Sequence, residues 1–272
     1  MRALWLFIPA VLTLAACSSL KQALSNKECR LQPERPYDVV TIDPDHHAIE
    51  LVWKDENGEP LQTLINALSM LQARGDSVVA LTNGGIYTRA LVPLGLYVED
   101  GKALVPVNHG DGYGNFYLKP NGILMISGNN VRILETSQFD DAIRTPEYAL
   151  QSGPLLVHNG SVHPAFTPGS TNCRLRSGIG VDREGRVHLV VSNGAVNFHD
   201  FATLFKQNLG CDNALYLDGA ISVLYAPVIG RHARSRTHFA AFLAVIAKAR
   251  ESVAPPGFEP GTSWSRARRS AN

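Results

Sequence analysis

An excess of either charge is missing from this 272-residue chain. The formal net charge is +1, with Lys and Arg spread along the sequence, so no electrostatic footprint for nucleic acid or an anionic membrane surface is visible. Nucleic-acid partners are excluded on that ground. Cysteine is limited to four residues in no CxxC or His-rich spacing, which argues against a structural zinc site; no cofactor is expected, and a metal requirement stays open. GxSxG is absent, and with it the nucleophile elbow of the serine hydrolases. No repeat of solenoid length is found.

What is present suits a folded globular chain: 45% of the residues are hydrophobic and 18% charged, which favours one domain. The opening "MRALWLFIPAVLTLAACSS" carries one Arg, then an apolar run too short and too close to the terminus for an ordinary membrane span, then small residues before Cys17. Residues 1–16 therefore read as a signal peptide. Leu14-Ala15-Ala16-Cys17 resembles the bacterial lipobox, which implies a lipidated Cys17 as the new N-terminus and a membrane anchor. Ser18 in place of Asp implies the outer membrane, with the domain facing the periplasm. Residues 17–36, polar and holding Pro33 and Pro36, read as a tether; 37–250 form the domain; 251–272, rich in Pro, Gly, Ser and Arg, read as a disordered tail. With Cys17 lipidated, at most one bridge forms among Cys29, Cys173 and Cys211. Cys173 and Cys211 flank the motif stretches below, and the expected bridge joins them, leaving Cys29 free in the tether.

Between tether and tail the chain reads as strands with two main helices, an α+β fold with a mixed, largely antiparallel sheet. "YDVVTID" and "HAIELVW" are β-type runs on either side of Asp43-Pro44-Asp45. "PLQTLINALSMLQARG" has Pro60 near its start, apolar residues at 61, 64, 65, 68 and 71, and Gly75 as a stop, which predicts an amphipathic helix. "SVVALT" predicts a buried strand ending at Asn83-Gly84-Gly85. "GLYVEDGKAL" and "NFYLKPNGILMIS" carry hairpin pairs, and "RSGIGVDREGRVHLVVS" predicts two strands around Glu184-Gly185. "NFHDFATLFKQNLG" predicts the second helix, closed by Gly210, and "NALYLD" the strand after it. "FAAFLAVIA" suits strand or helix by pattern alone.

Four stretches set polar residues among glycines beside a buried strand. In "TNGGIY" the glycines permit close approach of backbone N–H groups to a ligand, and Asn83 offers donor and acceptor; a tight turn is the plainer reading. In "QSGPLLVHNG" Ser152 reads first as a turn residue whose hydroxyl also suits a ligand. In "CRLRSGIG" Arg176 opens an apolar strand, where a guanidinium suits a phosphate or carboxylate; a surface arginine is the even alternative, and Arg174 competes for the role. In "LDGAIS" Asp218 ends a buried strand, placed to accept a proton or to act as a turn residue.

Taken in order, Asn83-Gly84-Gly85-Ile86-Tyr87, Ser152-Gly153-Pro154, Arg176-Ser177-Gly178-Ile179-Gly180 and Leu217-Asp218-Gly219-Ala220-Ile221-Ser222 resemble the successive motifs of the phosphodiester glycosidase family. The similarity spans roughly residues 37 to 247. It implies hydrolysis of the bond between a sugar's anomeric carbon and a phosphodiester, on a carbohydrate substrate of the bacterial envelope. It also implies Asp218, Arg176 and Asn83 as catalytic residues and Gly84, Gly85, Tyr87, Ser152 and Ser222 as substrate-binding ones. Arg176 and the amides of Gly84 and Gly85 suit the charged leaving group; Asp218 suits the role of base, nucleophile or stabiliser of an oxocarbenium-like transition state. Asp200 is the candidate second carboxylate, although a helix cap explains it better, and His199 reads as a surface or packing residue. Many family members continue Asp-Gly-Gly-Gly-Ser, whereas Ala220 and Ile221 make this loop bulkier, so a difference in substrate is expected there. A non-catalytic lipoprotein that binds anionic glycans is the alternative from another class; acyl transfer through Ser152 or Ser222 is a third.

Overall fold

A computed structural model of the chain describes residues 29, 31, 34–140, 145–219, 222–233 and 235–248. The signal peptide, Cys17, most of the tether, the tail and the Ala220-Ile221 pair lie outside the described residues.

In chain order the first strands are β1 (Tyr37–Ile42), β2 (His47–Val52) and β3 (Val78–Asn83), with helix α1 (Leu64–Ala73) between the last two. β4 (Tyr97–Glu99), β5 (Lys102–Val105), β6 (Gly122–Ser127), β7 (Asn130–Glu135) and β8 (Tyr148–Ser152) follow. Next come β9 (Leu155–His158), β10 (Ser161–Val162), β11 (Ser177–Asp182) and β12 (Val187–Ser192), then helix α2 (Phe198–Thr203). The last strands are β13 (Cys211–Tyr216), β14 (Leu224–Ala226), β15 (Arg231–His232) and β16 (Phe242–Ala247). The fold is α+β, and the strands form three sheets rather than one. Their orders are β1-β12-β11-β13-β9-β10, β15-β14-β3-β16-β2 and β5-β4-β8-β6-β7. The pairings between these strands are antiparallel.

Apolar patterning accounts for this arrangement. Leu189 and Leu215 of the first sheet, Leu51 and Leu243 of the second, and Leu124 and Leu150 of the third share one buried core. Burying that face of each sheet supplies the main driving force for bringing the three together. The outer face of the first sheet is covered by α2 through Phe201 and by Phe205 of the π-helical turn Leu204–Asn208 that continues it, that of the second by α1 through Leu64, Ala67 and Leu71. Helix α1 starts later than Pro60 suggests. Thr63 is its N-cap, its hydroxyl accepting the Asn66 N–H, and Pro60 sits in a bridge with Lys54. In α2 the cap is Asn197, whose side chain accepts the Asp200 N–H at 2.8 Å and donates to the Asp200 carboxylate at 2.9 Å. Asp200 therefore serves the helix start. The turn at Asp100-Gly101 has φ of 49° and 73°, the left-handed pair that a two-residue hairpin requires. "FAAFLAVIA" resolves as β16, a central strand paired on both sides by β2 and β3.

The disulfide differs from the one expected. Cys29 is bonded to Cys173, with Cα atoms 5.2 Å apart, and Cys211 is free and buried. Proximity to a motif in sequence carried no information about distance here. Cys211 begins β13 facing inward, so close to Gly180 of β11 that a Cβ there would lie 2.7 Å from its sulfur. Burial, reinforced by Asp182 and Asp212, pushes its thiol up to about 12, which leaves it unreactive. Cys29→Ser is expected to lower stability by about 2–4 kcal/mol, and Cys211→Ser to leave the bridge intact. Non-reduced peptide mapping checks the pairing and urea unfolding the loss; a Cys173–Cys211 peptide would contradict it.

Candidate active site

The four motifs sit at strand ends drawn from all three sheets. Asn83 closes β3 of the second sheet, Ser152 closes β8 of the third, and Ser177 opens β11 beside the end of β13 in the first. Past the Gly178–Tyr216 pair the two strands of the first sheet stay joined. Leu217 N–H donates to Ser177 O at 3.0 Å, and Ser177 N–H donates to Asp218 O at 2.8 Å.

Ser177 is the residue that motif reading passed over. Its hydroxyl donates to the Asp218 carbonyl at 2.6 Å and accepts from Asn83 Nδ2 and from the Asp218 N–H, both at 3.3 Å. One donor and two acceptor positions are thereby filled, which is all a hydroxyl offers. Asn83 is equally committed: Nδ2 also donates to Gly84 O at 3.1 Å, and Oδ1 accepts the Val223 N–H at 3.1 Å. Ser222 donates to the Asp218 carbonyl at 3.1 Å and lies 3.3 Å from Gly219 O. The Gly219 N–H donates to Asp218 Oδ1 at 2.6 Å. Asp218 is thus gripped through its main chain by Ser177 of β11 and by Ser222, while Asn83 of β3 holds Ser177.

The remaining expected residues fall around this clamp with varied duties. Ser152 is fully buried, donating to Leu217 O at 3.0 Å and accepting the Ile86 N–H at 3.4 Å; it braces the end of β13 against the segment after β3. Gly84 donates its N–H to Ala241 O at 2.8 Å, so that amide is not the ligand donor expected of it. Gly85 is required by closeness, since a Cβ would lie 3.0 Å from that of Ser152. Tyr87 donates to His238 O at 2.7 Å, and burial together with the nearby Asp218 charge pushes its hydroxyl up to about 12.

Arg176 is enclosed behind Tyr216. Gly178 pairs with Tyr216, and period-two alternation carries that face to Arg176. The guanidinium is 1% exposed. Nε donates to Val196 O at 2.8 Å, Nη2 to Asn172 O at 3.0 Å, and Cζ sits 3.5 Å above the Phe198 ring. Burial lowers its pKa, opposed by the neighbouring Tyr216 phenol. Open contact with a phosphate, as the motif suggested, is replaced by a cation set into the wall behind Tyr216. Arg174 turns to its neighbour, donating to Cys173 O at 2.7 Å. Among the described residues no cluster of three or more His, Cys, Asp or Glu is placed to hold a metal ion.

Ser177→Ala is expected to cost about 1–3 kcal/mol, because it strips a hydrogen-bond partner from a buried amide and a carbonyl. Ser222→Ala, which removes one of several donors at the same carbonyl, is expected to cost less. Urea unfolding of both variants makes the comparison, and equal losses would deny Ser177 its place at the centre.

With this geometry in hand, comparisons with known proteins are specific. The family model described as phosphodiester glycosidase matches residues 76–240. An Escherichia coli (strain K12) protein, described as uncharacterized protein YigE, is 34% identical over 204 residues, covering 75% of this chain and 80% of that one. Among solved structures, the catalytic domain of zebrafish N-acetylglucosamine-1-phosphodiester alpha-N-acetylglucosaminidase, auto-inhibited by its pro-peptide, aligns with a TM-score of 0.51 at 14% identity. That alignment covers 79% of this chain and 89% of that one. A hypothetical protein from Synechocystis aligns with a TM-score of 0.49 at 17% identity, over 78% of this chain but only 59% of that one. The zebrafish likeness speaks to fold, whereas the family match spans all four motifs from before Asn83 to beyond Ser222: the chain belongs to the phosphodiester glycosidase family.

Proposed function

We propose that the protein is a hydrolase that cleaves the bond between a sugar's anomeric carbon and a phosphodiester in the bacterial envelope, releasing free sugar and a phosphomonoester. The observation that carries this reading is the clamp on Asp218. Ser177 and Ser222 both donate to the main-chain carbonyl of one carboxylate residue at the end of a buried strand, and Asn83, from another motif, donates to the Ser177 hydroxyl.

The chemistry suits that arrangement. The anomeric C–O bond breaks and the oxygen leaves with the phosphate. Water supplies the new C–O bond and its proton. A phosphate leaving group is already anionic and asks for less protonation than an alcohol, so one carboxylate is sufficient where ordinary glycosidases use two. Asp218 stabilises positive charge at the anomeric carbon and guides water to it. Asp200, occupied at the start of α2, is not assigned the second role. Asn83, Ser152 and Ser222 act as positioning residues, and Tyr87, within reach of the Asp218 charge, lines the substrate side. Ser152 is not assigned a nucleophilic role, since its buried hydroxyl is directed to a main-chain carbonyl.

Lipidation of Cys17 and an outer-membrane position facing the periplasm belong to the same proposal, supported by the lipobox-like Leu14–Cys17 ending. The bulk of Ala220 and Ile221, against the paired glycines of many relatives, supports a distinct sugar or aglycone.

Release of reducing sugar from a nitrophenyl-phosphate glycoside tests the activity. Asp218→Asn is expected to lower kcat/KM by about 10²- to 10⁴-fold, with the fold retained by circular dichroism. Unchanged rates in that variant would remove Asp218 from the chemistry. Tight binding of sugar phosphates without turnover across a broad panel would favour a glycan-binding lipoprotein.

A further inference from the structure

Tyr216 carries none of the four motif roles, yet three separate elements meet at its hydroxyl. It lies on β13 two residues before Asp218 and is 3% exposed. The alternation described above puts its side chain on the face of Arg176. Arg176, just before β11, stands with its guanidinium carbon 5.8 Å from the Tyr216 ring centre, and it and Asn115, from the turn Asn115–Tyr117 after β5, act electrostatically on the phenol. On its remaining side stands Gly219. A Cβ at that position would lie 1.9 Å from Tyr216 Oη and 2.7 Å from Leu175 O. The φ of Gly219 is not in the left-handed region, so closeness to Tyr216, not backbone freedom, is what calls for glycine after Asp218.

The wall behind the phenol is built to hold it. Phe198 meets the Tyr216 ring edge-on at 4.9 Å and lies flat on Phe166 at 4.7 Å with 5° between planes. Arg176 covers Phe198, its centre 3.5 Å from that ring and 5.8 Å from the Tyr216 ring. Two donors of that guanidinium are fixed on the Val196 and Asn172 carbonyls. Its position is set by the protein's own framework.

The geometry points to Tyr216 as a positioning residue: its hydroxyl, packed against Gly219, fixes the Asp218–Gly219 turn, and Arg176, standing against its ring, acts on the site through it. This rests on the reading of Asp218 as the reacting carboxylate. The phenol converts a buried cation, enclosed by protein, into a fixed orientation for the acid at the strand end.

The Gly219 amide, bonded to Asp218 Oδ1, is the reporter. In ¹⁵N-labelled full-length protein, Tyr216→Phe and Arg176→Lys are expected to move the Gly219 peak in the same direction. The double variant is expected to move it no further than Tyr216→Phe alone. Asn115→Ala, approaching from the other side of the phenol, gives the same comparison if Arg176→Lys does not fold. An unmoved Gly219 peak in Tyr216→Phe, or additive displacement in the double variant, overturns the proposal. With a nitrophenyl-phosphate glycoside, Tyr216→Phe is expected to lower kcat by about 10²-fold with KM near the wild-type value. The two arms separate the claims. No turnover by the wild type with the Gly219 response intact would sink the activity and leave the positioning role standing; turnover with a silent Gly219 peak would do the reverse.

Discussion

The hydroxyl of Ser177 and the carbonyl of Asp218, 2.6 Å apart, form the contact on which the rest of the site depends. It is short, buried, and part of a saturated center, since Ser177 also accepts from Asn83 and from the Asp218 N–H. Removing the hydroxyl would take a partner from the Asp218 N–H and from Asn83 Nδ2, a cost wherever a buried donor stays unpaired, while the carbonyl would keep the Ser177 N–H and Ser222. Through this hydroxyl the second sheet is tied to the first at the point where β13 ends. Ser152 performs the same service from the third sheet, one residue earlier, by donating to the Leu217 carbonyl. The strand that delivers Asp218 is therefore held from both neighbouring sheets, and the shared apolar core beneath explains why three sheets meet there at all.

Around this center, charge is handled by enclosure. A guanidinium that is almost fully buried carries a large desolvation penalty, which pulls its pKa down. Here the penalty is offset by two main-chain carbonyls, the face of Phe198 and the Tyr216 phenol. Arginine keeps its proton even so. The positive charge is fixed beside Tyr216, enclosed by protein. For a reaction whose leaving group is a phosphodiester, a cation held in the wall contributes attraction without a flexible side chain to order.

Much of this was legible in the sequence. Period-two apolar runs located most of the strands, Asp100-Gly101 and Glu184-Gly185 located hairpin turns, and the order of four short motifs located the residues that converge. The rest depended on which way side chains face. Ser177 stood inside a quoted motif, but only the pairing of β11 with β13 shows that it, and not Arg176, turns toward Asn83. Tyr216 read as one more apolar strand residue until the closeness of Gly219 gave its hydroxyl a purpose. The disulfide was missed because its two cysteines are 144 residues apart, a separation across which spacing carries no signal. Pro60 marked the approach to α1, while Thr63 supplied its cap.

A structure of the protein with a sugar 1-phosphate bound, determined at atomic resolution, tests the central claim most directly. The account predicts the anomeric carbon beside the Asp218 carboxylate, the phosphate on the Tyr87 side of the clamp, and Arg176 still covering Phe198. A ligand seated elsewhere, such as the groove lined by Leu68, Gln72, Tyr225 and His232, or one whose phosphate draws Arg176 out of its wall, would contradict it.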